Sequence, residues 1–186
     1  TVNAISATAY GACSFNVVCE TGYTVENNNT ENPTCKANTY TITLDKNGGT
    51  GTLDSSVQCT FDSGKCKLPL ATGLSKPGYS ADTKWCATAN GGAPCYPAGE
   101  NITENLSSTG TDITLYLVWT PRVFSVTLDS QGAQTVAQPK TVYLKYATRW
   151  ASDSAAANVI TTLTTTPVKS GYNFTGFYSA TTGGAQ

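Results

Sequence analysis

Apolar and polar residues alternate one by one in several short stretches of the chain. Residues 40–45 read YTITLD, residues 112–119 read DITLYLVW and residues 123–128 read VFSVTL, with apolar side chains at every second position. A period of two places these side chains on one face of an extended chain, so each stretch predicts a strand with one buried face. The first stretch is followed by NGG at 47–49, which predicts a turn.

These features occur twice in the same order. The first copy has YTITLDKNGG, then KPGY, Trp85, a GG pair and the strand DITLYLVW; the second has FSVTLDSQG, then SGYNFTGFY and another GG pair. Such repetition predicts two domains built alike, which we place at residues 40–121 and 122–186. Residues 14–39 have too few large apolar residues for their own core and predict a short Cys-rich connector.

One stretch has the composition of a helix. In ASDSAAANVITTLTTT, Ser152 or Asp153 is a suitable N-cap, and the residues from Ala155 to Leu163 can carry the helix. Pro167 would prevent it from continuing. The sequence therefore predicts one short helix, in the second copy.

The composition favours strands and turns and argues against charged partners. Charged residues make up 12% of the chain, about half the usual share, and Thr, Ser, Asn and Gly take their place. The net charge of −1 gives no reason to expect binding to nucleic acid or to an anionic membrane. No apolar run is long enough to predict a membrane span.

The seven cysteines predict disulfides and not a metal site. The chain has no His and no Cys-x-x-Cys, so a zinc site lacks its usual ligands. Two pairs flank turns and a third closes a longer loop, which makes the candidate disulfides Cys59–Cys66, Cys86–Cys95 and Cys19–Cys35. Cys13 is left over and is a candidate for a bond to another chain.

Residues for enzyme chemistry are not found. Without His, the usual activated Ser or Cys nucleophile cannot be built. Asp45 and Asp129 occupy equivalent positions before the two turns, where an Asp side chain usually hydrogen-bonds the turn backbone. We predict no enzyme activity, no catalytic residue, no metal and no cofactor.

The aromatic residues have two interpretations. They could form a sugar-stacking platform or belong to the core, and their place in strand alternation favours the core. The residues considered for such a platform are Trp85, Trp119, Trp150, Tyr96, Tyr143 and Tyr178.

The two copies together resemble the Listeria–Bacteroides repeat family, also called the internalin B-repeat. The resemblance implies a mainly β (α+β) fold of two tandem, small, β-grasp-like domains, each a mixed sheet with one short helix on a face. It also implies display on the cell surface or outside the bacterium, as spacers or weak interaction modules and not as enzymes. The aromatic residues that we assign to the core are Tyr40, Tyr79, Trp85, Trp119, Phe124, Tyr172 and Phe177.

The second copy does not contain a closing strand like DITLYLVW, and residues 1–13 resemble one. Thr8-Ala9-Tyr10 would match Thr114-Leu115-Tyr116, so we predict that this segment completes a neighbouring repeat. The proposed donor residues are Val2, Ala4, Ile5, Ala7, Thr8 and Tyr10. Two explanations remain open: one period of a longer tandem array, or a strand donated between subunits. A third possibility is that residues 1–10 are an unpaired tail.

The sequence thus predicts an extracellular structural protein, a repeat or subunit of a bacterial surface filament. Its partners would be copies of itself joined head to tail, since donation of this kind does not close on itself. The alternative is a carbohydrate- or receptor-binding module of an adhesin, with a glycan or protein of the host or environment as its partner.

Overall fold

A computed structural model describes residues 2–6, 14–27 and 32–182, and of residues 2–6 and 14–16 it describes the backbone alone. Within these ranges the chain forms fourteen short strands and no helix. The mainly β class predicted from the sequence is therefore confirmed. The β-grasp-like form of each domain stays a prediction.

The strands are short, and the last of those described ends at Ala151. The first seven are β1 (Val2–Ser6), β2 (Ser14–Val17), β3 (Tyr23–Glu26), β4 (Thr34–Ala37), β5 (Thr39–Asp45), β6 (Ser56–Thr60) and β7 (Cys66–Lys67). The other seven are β8 (Tyr79–Cys86), β9 (Cys95–Pro97), β10 (Asn101–Ile102), β11 (Ile113–Pro121), β12 (Val123–Thr127), β13 (Thr141–Lys145) and β14 (Arg149–Ala151).

The described residues divide into two compact units. The first comprises those up to Lys76 together with Ala81–Trp119, and the second comprises Pro77–Ser80 and those from Thr120 onward. The described part of the connector thus groups with the first repeat.

A five-stranded mixed sheet organises the first unit, in the order β6-β5-β11-β8-β9. β5 runs parallel to β11, with Ile42 opposite Ile113 and Leu44 opposite Leu115, and antiparallel to β6. The predicted alternation is seen in the burial of β5, where Tyr40, Ile42 and Leu44 are inside and the residues between them are more exposed. Burial of this apolar face stabilises the sheet by about 25 cal/mol per Å² of apolar surface.

The second unit has a smaller antiparallel sheet in the order β12-β13-β14. Its core consists of Leu128, Ala137 and Val142, on which Val126, Ile160, Leu163 and Phe177 pack. This cluster is less extensive than the core of the first unit, where Trp85, Ile42, Leu68 and Leu117 are fully buried.

The predicted helix is wrong. Instead of capping a helix, the carboxylate of Asp153 accepts hydrogen bonds from the backbone N–H groups of Asn158, Ala157 and Ala155, at 2.6, 3.2 and 3.0 Å. These bonds close a tight loop, and Val159 then pairs with Ala151 of β14. Asp and Asn offer the backbone this alternative to a helix, and here the neighbouring strand decides the outcome. The same bonds, that of Asn158 first, lower the pKa of Asp153.

All three candidate cysteine pairs are disulfides in the structure. Cys19–Cys35, Cys59–Cys66 and Cys86–Cys95 have Cα–Cα distances of 5.6, 5.1 and 4.0 Å. Cys86 and Cys95 are direct cross-strand partners of β8 and β9. Cys59–Cys66 and Cys86–Cys95 therefore each fix a local turn of the first unit, and Cys19–Cys35 closes a longer loop.

The N-terminal segment is paired within its own chain. β1 runs antiparallel to β2, with Ile5 opposite Phe15 and Ser6 opposite Ser14. Val2, Ala4 and Ile5 thus lie in an intrachain hairpin, so to complete another repeat β1 would have to leave β2 or add through its second edge. Ala7, Thr8, Tyr10 and Cys13 lie outside the described residues.

Two of the seven predicted core aromatics are not in the core. Phe124 and Tyr172 have 43% and 71% of their surface exposed. Tyr40, Trp85 and Trp119 are buried, as predicted. Tyr79 and Phe177 are half-buried.

Candidate functional site

The turn that follows the first strand of each repeat has the same hydrogen bonds in both units. The Asp45 carboxylate accepts from the backbone N–H of Asn47 at 2.7 Å, and that of Asp129 accepts from Gln131 at 2.8 Å. The Lys76 ammonium donates to the carbonyl of Asn47 at 2.9 Å. The equivalent bond in the second unit, from Lys169 to Gln131, measures 2.8 Å. Both Asp side chains thus form the turn, as the sequence indicated.

The equivalence extends along the backbone on both sides of the turn. Gly49 donates to the carbonyl of Lys46 at 3.0 Å, and Ala133 donates to the carbonyl of Ser130 at 3.0 Å. The backbone N–H of Leu44 donates to the carbonyl of Ser55, and the backbone N–H of Leu128 donates to the carbonyl of Lys140. The first strand and turn of the two repeats can therefore be compared position by position.

In the first unit, β11 is the central strand of the sheet, between β5 and β8, and hydrogen bonds hold it near both ends. At its start the Asp112 carboxylate accepts from the backbone N–H of Thr41 at 2.7 Å. At its end the Trp119 indole donates to the carbonyl of Lys46 at 2.8 Å. Between these points the Asn47 side chain donates to the carbonyl of Leu117 at 3.0 Å.

In the second unit, the strand equivalent to β5 is at the edge of its sheet. β12 pairs with β13 on one side, and no described strand pairs with its other side. Leu128 donates to Lys140 and Tyr146 donates to Arg122 across this pair. Because backbone groups alternate in direction along a strand, those of Val123, Ser125 and Thr127 point away from β13. These three residues form the open edge of β12.

A groove of about 470 Å³, a volume typical of binding pockets, includes Thr127 of this open edge in its lining. β12 and the turn after it form one wall, and residues 172–181 form the other. The lining residues on which the site depends are Val126, Leu128, Ala133, Phe174, Phe177 and Tyr178. We call this space the β12 groove.

The burial of aromatic side chains differs at equivalent positions of the two repeats. Tyr40 is 3% exposed in the first unit, whereas its counterpart Phe124 is 43% exposed. Tyr172, the counterpart of Tyr79, is 71% exposed. An unpaired strand edge beside exposed aromatic side chains is a surface to which a further strand can add.

The charged side chains that line the groove are engaged locally. The carboxylate of Asp129 binds the turn, and the ammonium of Lys169 binds the Gln131 carbonyl and lies 5.1 Å from the centre of the Tyr172 ring. The groove therefore presents backbone groups and apolar surface more than net charge. This suits a neutral extended peptide.

The aromatic residues considered for a sugar platform do not share one setting. Trp85, Tyr96 and Trp119 are buried in the first unit, whereas Trp150 and Tyr178 of the second are exposed. Tyr143 is half-buried.

Among the described residues there is no group of three or more His, Cys, Asp or Glu side chains placed to hold a metal ion. The described residues also contain no helix that is long and apolar enough to cross a membrane.

The sequence did not indicate Phe174 or Ala133 as parts of a site. Phe174 lies two residues after Tyr172, the spacing that places side chains on the same face of a strand, and this was the feature of the sequence that could have indicated it. Ala133 stands where the first copy has Gly49, and this difference acquires meaning only when the position of Trp119 is known.

Comparison with known proteins supports the repeat organisation. The model of the Listeria-Bacteroides repeat domain family matches residues 40–116 and residues 124–186. No curated protein and no solved structure matches the chain.

Proposed function

Because the chain belongs to the Listeria-Bacteroides repeat domain family, with two matched segments, we propose that it is a building block of a bacterial surface filament. The family is one of bacterial surface repeat domains, and the resemblance noted in the sequence is confirmed. Three disulfides are compatible with an extracellular location. In this proposal, successive copies join head to tail when a strand of one copy fills the β12 groove of the next.

The observation that supports this proposal is the contrast between the two repeats. β5 has a partner strand on each side, whereas β12 has a described partner on one side alone. A strand added at Val123, Ser125 and Thr127 would give their backbone groups partners, each hydrogen bond contributing about 0.5–1.5 kcal/mol. Covering Phe174 and Tyr178, which line the groove, would add the burial of apolar surface.

The donor in this proposal is the N-terminal segment, residues 1–13, of another copy. Its pairing of β1 with β2 makes a two-stranded hairpin, and such hairpins are marginally stable by themselves. Exchange of this local pairing for a place in a larger sheet is therefore favourable. Since donor and acceptor surfaces differ, the assembly is open-ended and grows as a filament.

The proposal is tested by assembly of purified full-length chains, followed by sedimentation and electron microscopy. Two variants should stay monomeric: one that lacks residues 1–12, and Ser125→Pro, which removes an N–H from the open edge of β12 but not from the pairing with β13. Ser125→Ala is the matched control and should assemble normally.

Each result decides between parts of the proposal. Assembly of the shortened chain would exclude the N-terminal segment as donor. Assembly of Ser125→Pro would exclude the β12 edge as acceptor. Full-length chains that remain monomeric at all concentrations would overturn the filament function.

A second function is favoured by the exposure of Tyr172, Phe174 and Tyr178, at 71%, 43% and 48%. These rings line the groove, and aromatic faces of this kind bind sugars. As an adhesin module the chain would bind a glycan here. A glycan array probed with folded monomer tests this, and Tyr172→Ala should abolish any signal; an array without signal would exclude it.

A further inference from the structure

We infer that residue 49 in the first repeat and residue 133 in the second select which closing strand each repeat accepts. The inference rests on the proposed function, since it concerns the strand that fills the β12 groove. It assigns to that groove a strand with a small side chain beside Ala133, supplied by a second copy, and it excludes a strand that carries Trp where β11 carries Trp119.

The first repeat shows why the residue size at this turn matters. The Trp119 ring lies against Gly49, and a Cβ atom built on Gly49 would be 2.3 Å from Cζ2 of the indole. Such a distance is far shorter than any contact between carbon atoms that are not bonded to each other. The indole is also held in place by its bond to the Lys46 carbonyl. Any larger residue at position 49 would therefore displace Trp119.

The second repeat has the larger residue at the equivalent position. Ala133 donates to Ser130 as Gly49 donates to Lys46, at the same distance of 3.0 Å. Its methyl group therefore takes up the space that the indole fills in the first repeat. A strand with Trp at the position equivalent to Trp119 cannot lie in the β12 groove as β11 lies beside β5.

The N-terminal segment has the complementary change. When Thr8 is matched with Thr114, Cys13 takes the place of Trp119. The pair of Trp119 with Gly49 in the first repeat thus becomes a pair of Cys13 with Ala133. A large side chain facing a glycine is replaced by a small one facing an alanine, so the pair avoids the clash that Trp would make at Ala133.

This difference would also prevent mispairing. Subunits with two identical repeats could exchange β11 into the wrong groove, whereas a clash at Ala133 rejects it. Specificity of this kind depends on an unfavourable contact with the wrong partner as much as on good contacts with the right one.

Two synthetic peptides test the inference on the full-length chain. One has the sequence of residues 6–13, with Cys13→Ser to avoid oxidation, and the other has the sequence of residues 112–119. Binding is measured by calorimetry and by amide chemical shifts at Ser125 and Thr127. The wild-type chain should bind the first peptide at least tenfold more tightly, and Ala133→Gly should reduce that ratio at least tenfold by admitting the Trp peptide.

Ala157→Gly is the matched control, since it makes the same substitution at an exposed position of the same unit outside the groove. It should leave both affinities unchanged. An unchanged preference in Ala133→Gly, or equal binding of both peptides to the wild type, would overturn the inference even if filaments form. The expected preference without filaments would instead overturn the proposed function and leave the inference standing. Failure of both peptides to bind would overturn the inference together with the acceptor role of the groove.

Discussion

The ammonium group of Lys169 donates a hydrogen bond of 2.8 Å to the backbone carbonyl of Gln131. It connects the segment after Pro167 to the turn after β12, and Lys76 makes the equivalent bond to Asn47 in the first repeat. Both acceptors are residues with positive φ, 48° at Gln131 and 52° at Asn47. One cation thus stabilises a turn conformation that side-chain-bearing residues seldom adopt.

Lys169→Met should destabilise the second unit by about 1 kcal/mol, because it removes a hydrogen bond from a charged donor at an exposed position. Lys76→Met should cost the first unit more, since that bond is partly buried. Urea unfolding followed by tryptophan fluorescence measures both effects. Trp150 reports on the second unit, and Trp85 and Trp119 report on the first. Lys140→Met, at an exposed lysine of the second unit, is the control; an equal loss there would show a general effect of charge.

Gly49→Ala should destabilise the first unit by about 1–3 kcal/mol, the range for an overpacked core. The added methyl group would collide with the Trp119 ring. In the background of Trp119→Leu the same change should cost much less, because the colliding ring is gone. A double-mutant cycle from urea unfolding measures this coupling. Equal costs in both backgrounds would show that Gly49 is needed for its backbone and not for the space.

Reduction of the disulfides should affect one unit alone. All seven cysteines precede residue 96, and none lies between Thr120 and Gln186. Loss of Cys59–Cys66 and Cys86–Cys95 should destabilise the first unit by about 2–3 kcal/mol for each short loop. Reductant should therefore lower the midpoint temperature of the first unit's unfolding and leave that of the second unit unchanged, as measured by thermal unfolding with and without reductant. A shift of the second transition would mean that the two units unfold together.

The second unit should lose stability in acid through Asp153. Hydrogen bonds from Asn158, Ala157 and Ala155 lower the pKa of Asp153 in the folded state. Its contribution is therefore complete above the ordinary Asp pKa of about 3.9 and is lost as the pH falls from there through the folded pKa. Urea midpoints of the second unit, measured from about pH 7 to about pH 2.5, should converge for wild type and Asp153→Ala at the acid end. A difference that persists unchanged at the lowest pH would contradict this role.

Several elements could be predicted from local pattern because their physical cause is local. The strand Thr39–Asp45 follows from its alternation, and its predicted core residues are buried. The bridges Cys59–Cys66 and Cys86–Cys95 follow from turns between the paired cysteines. The repeat itself was visible as recurring motifs, and the family model matches both copies.

The predicted helix and the predicted burial of Phe124 were wrong because contacts outside the periodic pattern decide the outcome. The segment after Asp153 has helical composition, but its backbone pairs with β14 and with its own Asp carboxylate. Phe124 occupies a strand position like that of Tyr40, yet it is exposed, so alternation alone does not determine burial. Neither fact can be read from the periodicity of the residues concerned.

The sequence by itself determined the class of the fold, the two copies and the pairing of the cysteines, since these depend on residues close together in the chain. Only the tertiary structure decided that β5 has a partner strand on each side whereas β12 has a described partner on one side alone, and that Gly49 makes room for Trp119. These features depend on contacts between residues about 70 positions apart, such as Lys46 and Trp119. The residue type of one partner does not fix where the other lies, so the contact between Gly49 and Trp119 cannot be read from the sequence.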